Sequence, residues 1–579
     1  MALLCIVALS SLALGGLTRD LHTRQEDTRN VQLNVPDSAP KGHQIVDASF
    51  QSYSIEFSYM LDFAGNTSHP NLYSHQMLKN LGDLAGSYPI IRAGGTTQNR
   101  ATYIANQTEA LIARYSTPGA DQPASLTVGP AWFESFQQFP NGTQYIYGLN
   151  FFDGAEGKAQ TVLQAGAAYH GIGKNLYGFE IGNEVNGWPG SSRRPANYTT
   201  QSYVDQWTEY ADAIGKDALG EDDAKLQPLF QGCAFTAPRN IQFGNNSIWS
   251  VESVLRLGLA RSGRLKTVAD HDYMGSNCEG TTKIATIKDN ILDHHHMTSL
   301  MWYHEFIGNF SVSQGVPYVL GETNSISCQG KALVSDVFAA ALWAVDYVLY
   351  VATLQVSRLY FHMGSPYRYS PWQPITINGT APFAKPLYYG NLLTASALSG
   401  GNKQVQILLN DTYLTAYAVF DAGSNGSSAG RPQDTSATQP TLTSLVLVNL
   451  NVYNSTFTTP RPYTTFDFTL PVDASNSSAA SSDVQALRLT APGVEIASNV
   501  TFAGQYVDNA SGVIAGEKIV EKVEDLGDGR GRVRPGHPTA STPGGVFTTA
   551  LPEPYCHVNV KTNGADSSGS TTTSLAQQT

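Results

Sequence analysis

Eight short apolar runs, separated by longer stretches that include amphipathic helical pieces, constrain this chain more than any other feature of its sequence. The runs are SYSIEFSYML (52–61), YPIIRAGG (88–95), SLTVGP (125–130), LYGFEIGNE (176–184), LQPLFQGC (226–233), LKTVADHDY (265–273), VPYVLGE (316–322) and SRLYFHMG (357–364). Between them lie helical pieces such as YVDQWTEYADAIGKDA and VSDVFAAALWAVDYVLYVATL. Strands alternating with helices over roughly 320 residues predict an α/β fold, a (β/α)8 barrel with insertions. In a parallel barrel the C-terminal tips of the strands form the floor of the active site, so the residues that end these runs are the ones to read for chemistry.

After Pro374 the character changes. Helical periodicity fades beyond PLYYGNLLTASAL, and short alternating runs with turn residues take over: QVQILLN, YLTAYAVFD, LTSLVLVNLN, TTFDFTLP and VQALRLTAP. That is the pattern of an antiparallel all-β sandwich. The expected division is a secretory signal over 1–18, an N-terminal segment over 19–45, the barrel over 46–375, the sandwich over 376–516 and a mostly disordered tail over 517–579. VQLNVP (31–36) precedes the barrel, has no place in it, and is expected to add a strand to the sandwich. The tail is assigned on composition, charged at first and then rich in Gly, Pro, Ser and Thr.

Charged residues make up only 14% of the 579, and the formal net charge is −12. An uncharged polar surface is typical of exported proteins. The negative balance argues against nucleic acid and against anionic membrane surfaces as partners, yet leaves room for an anionic ligand in a local pocket of opposite sign. The first residues, MALLCIVALSSLALGG, resemble a secretory signal. Their apolar run, Ala2 to Leu14, is too short to span a bilayer and is followed by small residues, although no Lys or Arg precedes it. Thirteen Asn-X-Ser/Thr triplets fit a glycosylated, extracellular surface. The C-terminal end is polar, so no lipid-anchor signal is expected there. Among five cysteines, Cys5 falls in the signal. Cys278 follows His271 by seven residues and Cys328 follows Glu322 by six, so loops after neighbouring strands would bring the two together. A Cys278–Cys328 disulfide is expected on that ground. Cys233, in LFQGCAF, reads as a buried strand thiol, Cys556 lies in the tail, and no spacing reads as a zinc site.

Two of the apolar runs end in a carboxylate. LYGFEIGNE closes on Asn183 and Glu184, and VPYVLGE closes on Glu322, 138 positions later. Two carboxylates at two strand ends are what hydrolysis of a glycosidic bond needs. One donates a proton to the leaving oxygen, and the other attacks or stabilises the anomeric carbon. Glu184 is the candidate acid/base and Glu322 the candidate nucleophile. Period-two alternation puts Glu180, Gly182 and Glu184 on one face of the fourth run, inside the barrel, with Glu180 a layer deeper. Arg92, in the second run, is the natural partner for buried carboxylates there, and a structural ion pair is the expected role of Glu180. Alternation along the sixth run separates Asp270 and Asp272 from His271 and Tyr273, so only one set can face the pocket. His294, His295 and His296, with His304 and Glu305 beyond, are a poor metal cage because consecutive helical residues point different ways. Neither a metal nor a cofactor is expected. Trp132, Trp188 and Trp372 lie just past strand ends, where stacking on a sugar and core packing are both open to them.

FEIGNE (179–184), VLGETNS (319–325), IIRAGGTTQN (90–99) and SRLYFHMGSPYRYSPWQP (357–374), with the all-β region behind them, resemble glycoside hydrolase family 79. This is the β-glucuronidase and heparanase family of the large retaining barrel clan. Gly-Asn-Glu is shared across that clan, and the four motifs followed by a β-domain are the more specific signal. The resemblance implies Glu184 as acid/base, Glu322 as nucleophile and Asn183 as binder of the sugar 2-hydroxyl. It implies that His271 and Tyr273 stand where the clan places an aromatic residue against the nucleophile, and that Glu56 binds sugar hydroxyls. It also implies that Gln329, Gly330 and Tyr369 lie in the region that receives the glucuronate carboxylate, through Tyr hydroxyls and backbone amides more than an Arg clamp. GETNSISCQG departs from the family in carrying no Tyr at the matching place. The expectation is a secreted retaining exo-β-glucuronidase that removes glucuronate or 4-O-methylglucuronate from glycan side chains. Endo-cleavage of the heparanase kind and a non-catalytic carbohydrate-binding barrel are the alternatives.

Overall fold

The structure, a computed structural model, describes residues 29–220, 228–238, 242–423, 440–458, 464–470, 484–527, 529–533 and 557–561. Eight parallel strands close into a barrel. In chain order, and numbered one to eight hereafter, they are Gln51–Glu56, Ile91–Gly94, Tyr145–Leu149, Leu176–Ile181, Phe230–Thr236, Leu265–Tyr273, Tyr318–Asn324 and Arg358–Met363. Strand eight pairs with strand one, which closes the ring. Every residue of strands one, two, three, seven and eight is buried. Helices cover the outside of a parallel barrel while side chains fill the inside, so such strands read as continuous apolar runs rather than alternating ones.

The third strand is not the SLTVGP run expected at 125–130. Ser125–Val128 pairs with Ala101–Tyr103 and Leu111–Arg114 in a small sheet outside the barrel. Tyr145–Leu149 takes the barrel place, through Ile91↔Tyr145 on one side and Tyr147↔Phe179 on the other. Both runs are short and flanked by Gly or Pro, so only pairing to strands two and four distinguishes them. The small sheet belongs to an excursion that leaves strand two at its C-terminal end, the end where a barrel carries its active site.

Helix Phe338–Val351 is apolar on all sides and almost wholly buried. Such a helix must be covered all round, and here the barrel covers one side and the β-domain the other. Its one charged residue, Asp346, accepts hydrogen bonds from Tyr417 Oη at 2.6 Å and Thr415 Oγ1 at 2.8 Å, and meets His294 Nδ1 at 2.8 Å. His295 Nδ1 faces Thr412 Oγ1 and His296 Nε2 faces the Met274 carbonyl, so the three consecutive histidines serve three separate contacts. Helix Pro386–Ala397 packs against Phe338–Val351 and Leu72–Ala85. It completes the barrel's outer ring, which moves the expected boundary at 375 to the far side of this helix.

The β-domain is two sheets. One holds Lys403–Asn410, Leu414–Asp421, Thr441–Asn449, His557–Lys561, Gln485–Thr490 and Thr501–Phe502 in that order, with Glu521–Lys522 also on Gln485–Thr490. The other holds Arg29–Asn34, Thr464–Thr469, Arg530–Val533 and Glu524–Gly527. Arg29–Asn34 runs parallel to Thr464–Thr469, so the segment before the barrel is a strand of this domain. The tail expected to be disordered from 517 is corrected over Glu521–Lys522, Glu524–Gly527, Arg530–Val533 and His557–Lys561, all of them strands. Its charges mislead because they sit on paired strands: Arg532 donates to Asp467 at 2.6 and 2.9 Å, and Arg488 to Glu521 at 2.5 Å. Charged side chains are usual on edge strands. The expected signal at 1–18, Cys556 and the rest of the tail lie outside the described residues. No helix among the described residues is long and apolar enough to cross a membrane.

Candidate active site

Arg92 organises the site. It comes from strand two and is fully buried. Its Nε donates to both oxygens of Glu180, at 3.1 and 3.0 Å, and its Nη2 donates to Glu180 Oε1 at 2.6 Å. Nη2 also donates to Asn183 Oδ1 at 2.6 Å, and Nη1 to Ser54 Oγ at 2.8 Å and Glu322 Oε2 at 3.0 Å. One planar guanidinium thus orients residues from strands one, four and seven, which its fixed fork of donors allows and a lysine could not match. Burial works against its charge, but Glu180 and Glu322 outweigh that and hold the guanidinium protonated. Glu180 takes a further hydrogen bond from Gln231 Nε2 at 2.6 Å, which completes the structural ion pair.

Glu322, near the end of strand seven, is 7% exposed. Tyr273 Oη donates to its Oε1 at 2.7 Å. His362 Nδ1 and His271 Nδ1 stand 3.7 and 3.8 Å from its Oε2. Burial pushes this carboxyl up, but His362, His271, Arg92 and the Tyr273 hydroxyl together hold it well below the usual carboxylate range. It is therefore ionised when a substrate arrives.

Glu184 differs in every respect. The period-two reading that put it on one face with Glu180 fails, because strand four ends at Ile181. Gly182 has φ of 76° and Glu184 has φ of 52°, so the chain turns through left-handed backbone twice within three residues. At Gly182 a Cβ would also meet Val185 Cγ2 at 2.8 Å, so only glycine fits that turn. The Glu184 N–H is tied to the Ala234 carbonyl at 2.8 Å, and its Oε1 meets His271 Nδ1 at 3.1 Å. The side chain remains 35% exposed, open to an incoming substrate. Donor atoms of Glu184, His271 and Glu322 all lie within 4.8 Å of one another, so a carboxylate oxygen of Glu184 lies that close to one of Glu322. Two carboxylates and an imidazole could also attract a divalent cation, but the Arg92 guanidinium already supplies positive charge 3.0 Å from Glu322.

Asn183 is fixed by a reciprocal pair with Asn99. Asn99 Nδ2 donates to the Asn183 carbonyl at 2.8 Å, and the Asn183 N–H donates to Asn99 Oδ1 at 2.9 Å. Strand six presents His271 and Tyr273 to the two carboxylates, while Asp270 turns outward to Tyr303 and Tyr318 and Asp272 to His304. Glu56 is buried at the end of strand one, where its Oε1 accepts from the Thr97 N–H at 2.9 Å and the Thr97 hydroxyl at 2.5 Å. Gln122 Nε2 donates to Glu56 Oε2 at 2.9 Å and to Tyr367 Oη at 2.8 Å. The Tyr369 ring lies over Tyr273 with centroids 6.0 Å apart. Gly330, at φ of 83°, leaves room for the Tyr369 N–H, and the Gln329 carbonyl accepts from the Arg368 N–H at 2.7 Å. The Cys278–Cys328 disulfide, Cα–Cα 5.2 Å, ties the loop after strand six to that after strand seven. Cys233 is a free, buried thiol. Trp132 and Trp372 are fully buried in the core, while Trp188 carries the Arg193 guanidinium 5.0 Å from its ring.

Ser54, Asn99, Gln122, Gln231, His362 and Tyr367 also belong to this site, and none of them was assigned from sequence. Asn99 and His362 lie inside motifs already noted, where strand-end position was the available signal. Gln122 had none, because it comes from the small sheet's connecting turn.

The sequence pattern of the glycosyl hydrolase family 79 C-terminal beta domain matches residues 435–537. A β-glucuronidase of Aspergillus niger is 33% identical over 505 residues, 83% of this chain and 86% of that protein. A β-glucuronidase of Neurospora crassa is 31% identical over 510 residues, 82% of this chain and 87% of that protein. Among solved structures, a 4-O-α-L-rhamnosyl-β-D-glucuronidase from Fusarium oxysporum in complex with Rha-GlcA shares the fold. Its TM-score is 0.71 at 23% identity, over 92% of this chain and 100% of that one.

Proposed function

This chain belongs to glycoside hydrolase family 79 and is a glycosidase of the β-glucuronidase type, and on that premise we propose that it is a secreted, retaining exo-β-glucuronidase. Its substrates are terminal glucuronate or 4-O-methylglucuronate on polysaccharide or proteoglycan side chains. The observation that carries the reading is the approach of Glu184 and Glu322 to within 4.8 Å at the ends of strands four and seven. A retaining site needs carboxyl groups about 5–5.5 Å apart, whereas an inverting site leaves room for a water between them. Glu322, buried and held ionised, attacks the anomeric carbon. Glu184, exposed and resting on His271, gives its proton to the leaving oxygen and later takes one from the hydrolytic water. Asn183, immobilised by Arg92 and Asn99, presents its amide to the 2-hydroxyl. An intact pair of carboxylates in a chain of this family speaks against the non-catalytic alternative.

Exo action is favoured by the small sheet. Glu184 stands at the glycosidic oxygen, so the far side of the sugar ring points across the barrel to strands eight and one. There the turn that carries Gln122 is pinned to Glu56 and Tyr367, and Arg100 Nη1 donates to the Pro123 carbonyl at 2.6 Å. A turn anchored in this way supports a pocket that ends there and takes a terminal sugar. Secretion is supported by the N-terminal apolar run and by the exposure of the sequon residues Asn106, Asn141, Asn197, Asn309, Asn378 and Asn509.

Hydrolysis of an aryl β-glucuronide, followed by proton NMR, tests the reading: the β-anomer of glucuronate should appear first. The α-anomer as first product, or cleavage of glucosides with no activity on glucuronides, would end it. On an oligosaccharide with terminal and internal glucuronate, only free glucuronate should be released, and oligomeric fragments would favour endo action instead.

Two variants test individual roles. Glu184→Ala should lose roughly 10²- to 10⁴-fold on substrates with poor leaving groups and far less on activated aryl glucuronides, which depart without protonation. Equal losses on both would contradict the acid role. Tyr369, with the Gln329–Gly330 loop beside it, is the proposed reader of the substrate carboxylate. Losing one hydrogen bond to a charged group costs about 1.5–3 kcal/mol, so Tyr369→Phe should lower kcat/KM for glucuronides roughly ten- to a hundredfold. Slow turnover of the matching glucoside should stay nearly unchanged, and an equal loss on both would make Tyr369 a general pocket residue.

A further inference from the structure

His362 has no part in the mechanism above, yet it lies at the centre of the site's charges. It comes from strand eight and is 3% exposed. Its Nε2 faces Glu56 Oε2 at 3.5 Å, and its Nδ1 faces Glu322 Oε2 at 3.7 Å and Ser54 Oγ at 2.9 Å. We propose that His362 is the second buried cation of this site, a positioning residue wedged between Glu56 and Glu322 that lets the nucleophile carry its charge. The proposal rests on the reading of Glu322 as nucleophile.

The groups around the ring can accept a proton from each of its nitrogens. An ionised carboxylate only accepts, so the nitrogen that faces Glu56 carries a proton. Ser54 Oγ already accepts from Arg92 Nη1 and keeps a second lone pair for an Nδ1–H, and Glu322 is a second acceptor beyond it. The charge balance argues the same way. Strands one, four and seven bring Glu56, Glu180 and Glu322 into one buried volume, where the Arg92 guanidinium is a single fixed positive charge and the His271 imidazole stands 3.8 Å from Glu322. The other titratable groups against the ring are Tyr367 and Tyr369, which are neutral, their ionisation opposed by burial. Burial and the Arg92 guanidinium oppose a charge on His362, but Glu322 and Glu56 outweigh them and raise its pKa. A raised histidine keeps its proton below that pKa and loses it only as pH rises through it. The carboxylates on either side of the ring therefore keep it charged to higher pH than a free imidazole.

Two measurements decide the matter. Deuterium exchange at the histidine C2 position, followed by mass spectrometry over a pH series, titrates His362 in the unaltered protein without substrate. Its midpoint should lie above the ordinary histidine value of about 6.5. The pH profile of kcat/KM for His362→Gln is the second. Glu322 loses a cation beside it, so an acid limb absent from the wild-type profile should enter the measurable range. Below that limb the variant should lose about tenfold per pH unit against wild type. A midpoint at or below the ordinary value overturns the proposal, and so does a variant slowed by the same factor at every pH, as a purely structural residue would be. If His362→Gln does not fold, the exchange midpoint alone decides. If the wild-type protein cleaves no glucuronide, the proposed substrate falls while the exchange measurement still tests the wedge.

Discussion

Glu322→Ala is expected to lower kcat by on the order of 10⁴- to 10⁶-fold, the loss that follows removal of an essential nucleophile. Tyr273, Arg92, His271 and His362 all converge on that one carboxylate. Alanine leaves a small cavity on the face of the sugar opposite Glu184. A small anion such as azide can enter it, and the surrounding positive charge favours that. Azide should therefore restore part of the activity on activated aryl glucuronides, with a product of inverted configuration because only one displacement remains. NMR of the azide product reads this directly. A variant that keeps near wild-type turnover, or azide rescue that yields the retained anomer, would remove Glu322 from the nucleophile's role.

Arg92→Met is the second large effect, and it falls on stability as well as rate. Removing one partner of a buried ion pair leaves an uncompensated charge and costs about 3–5 kcal/mol. Here two carboxylates, Glu180 and Glu322, lose their cation at once, and Asn183 Oδ1 loses its donor. The thermal unfolding transition should fall markedly, and any folded fraction should be nearly inactive. Adding Glu180→Gln removes one of the stranded charges, so the double variant should recover part of the stability. It should not recover activity, because Glu322 and Asn183 remain unheld. Calorimetry and kinetics on the two variants separate these outcomes. A single variant that unfolds with wild type, or a double variant that regains activity, would show that Arg92 is not the organiser of the site.

These two residues illustrate what could be read without coordinates. Glu322 and Glu184 were visible because parallel strands in a barrel end at the active site, and each closes an apolar run with a carboxylate. That His271 and Tyr273 take the opposite face of strand six from Asp270 and Asp272 follows from alternation, while the family resemblance implies which pair faces inward. Glu180 and Arg92 were recognisable as partners because buried opposite charges on neighbouring layers must compensate each other.

Local pattern therefore determined the fold class, the strand ends that carry the chemistry, the half-cystines above them and the change to an all-β domain. Tertiary structure decided what depends on contacts between segments far apart in the chain. Tyr145–Leu149 rather than Ser125–Val128 is the third strand because only pairing can choose between two similar short runs. Glu184 reaches the site through a left-handed turn that alternation cannot describe, held by a hydrogen bond to strand five. Gln122 reaches Glu56 and Tyr367 from an excursion whose sequence carries no sign of it. His362 came to stand between two carboxylates only when strands one and seven placed Glu56 and Glu322 on either side of it. The charged strands near the C-terminus read as disordered from composition, because composition reports the cost of burying a charge and is silent about the partner that offsets it.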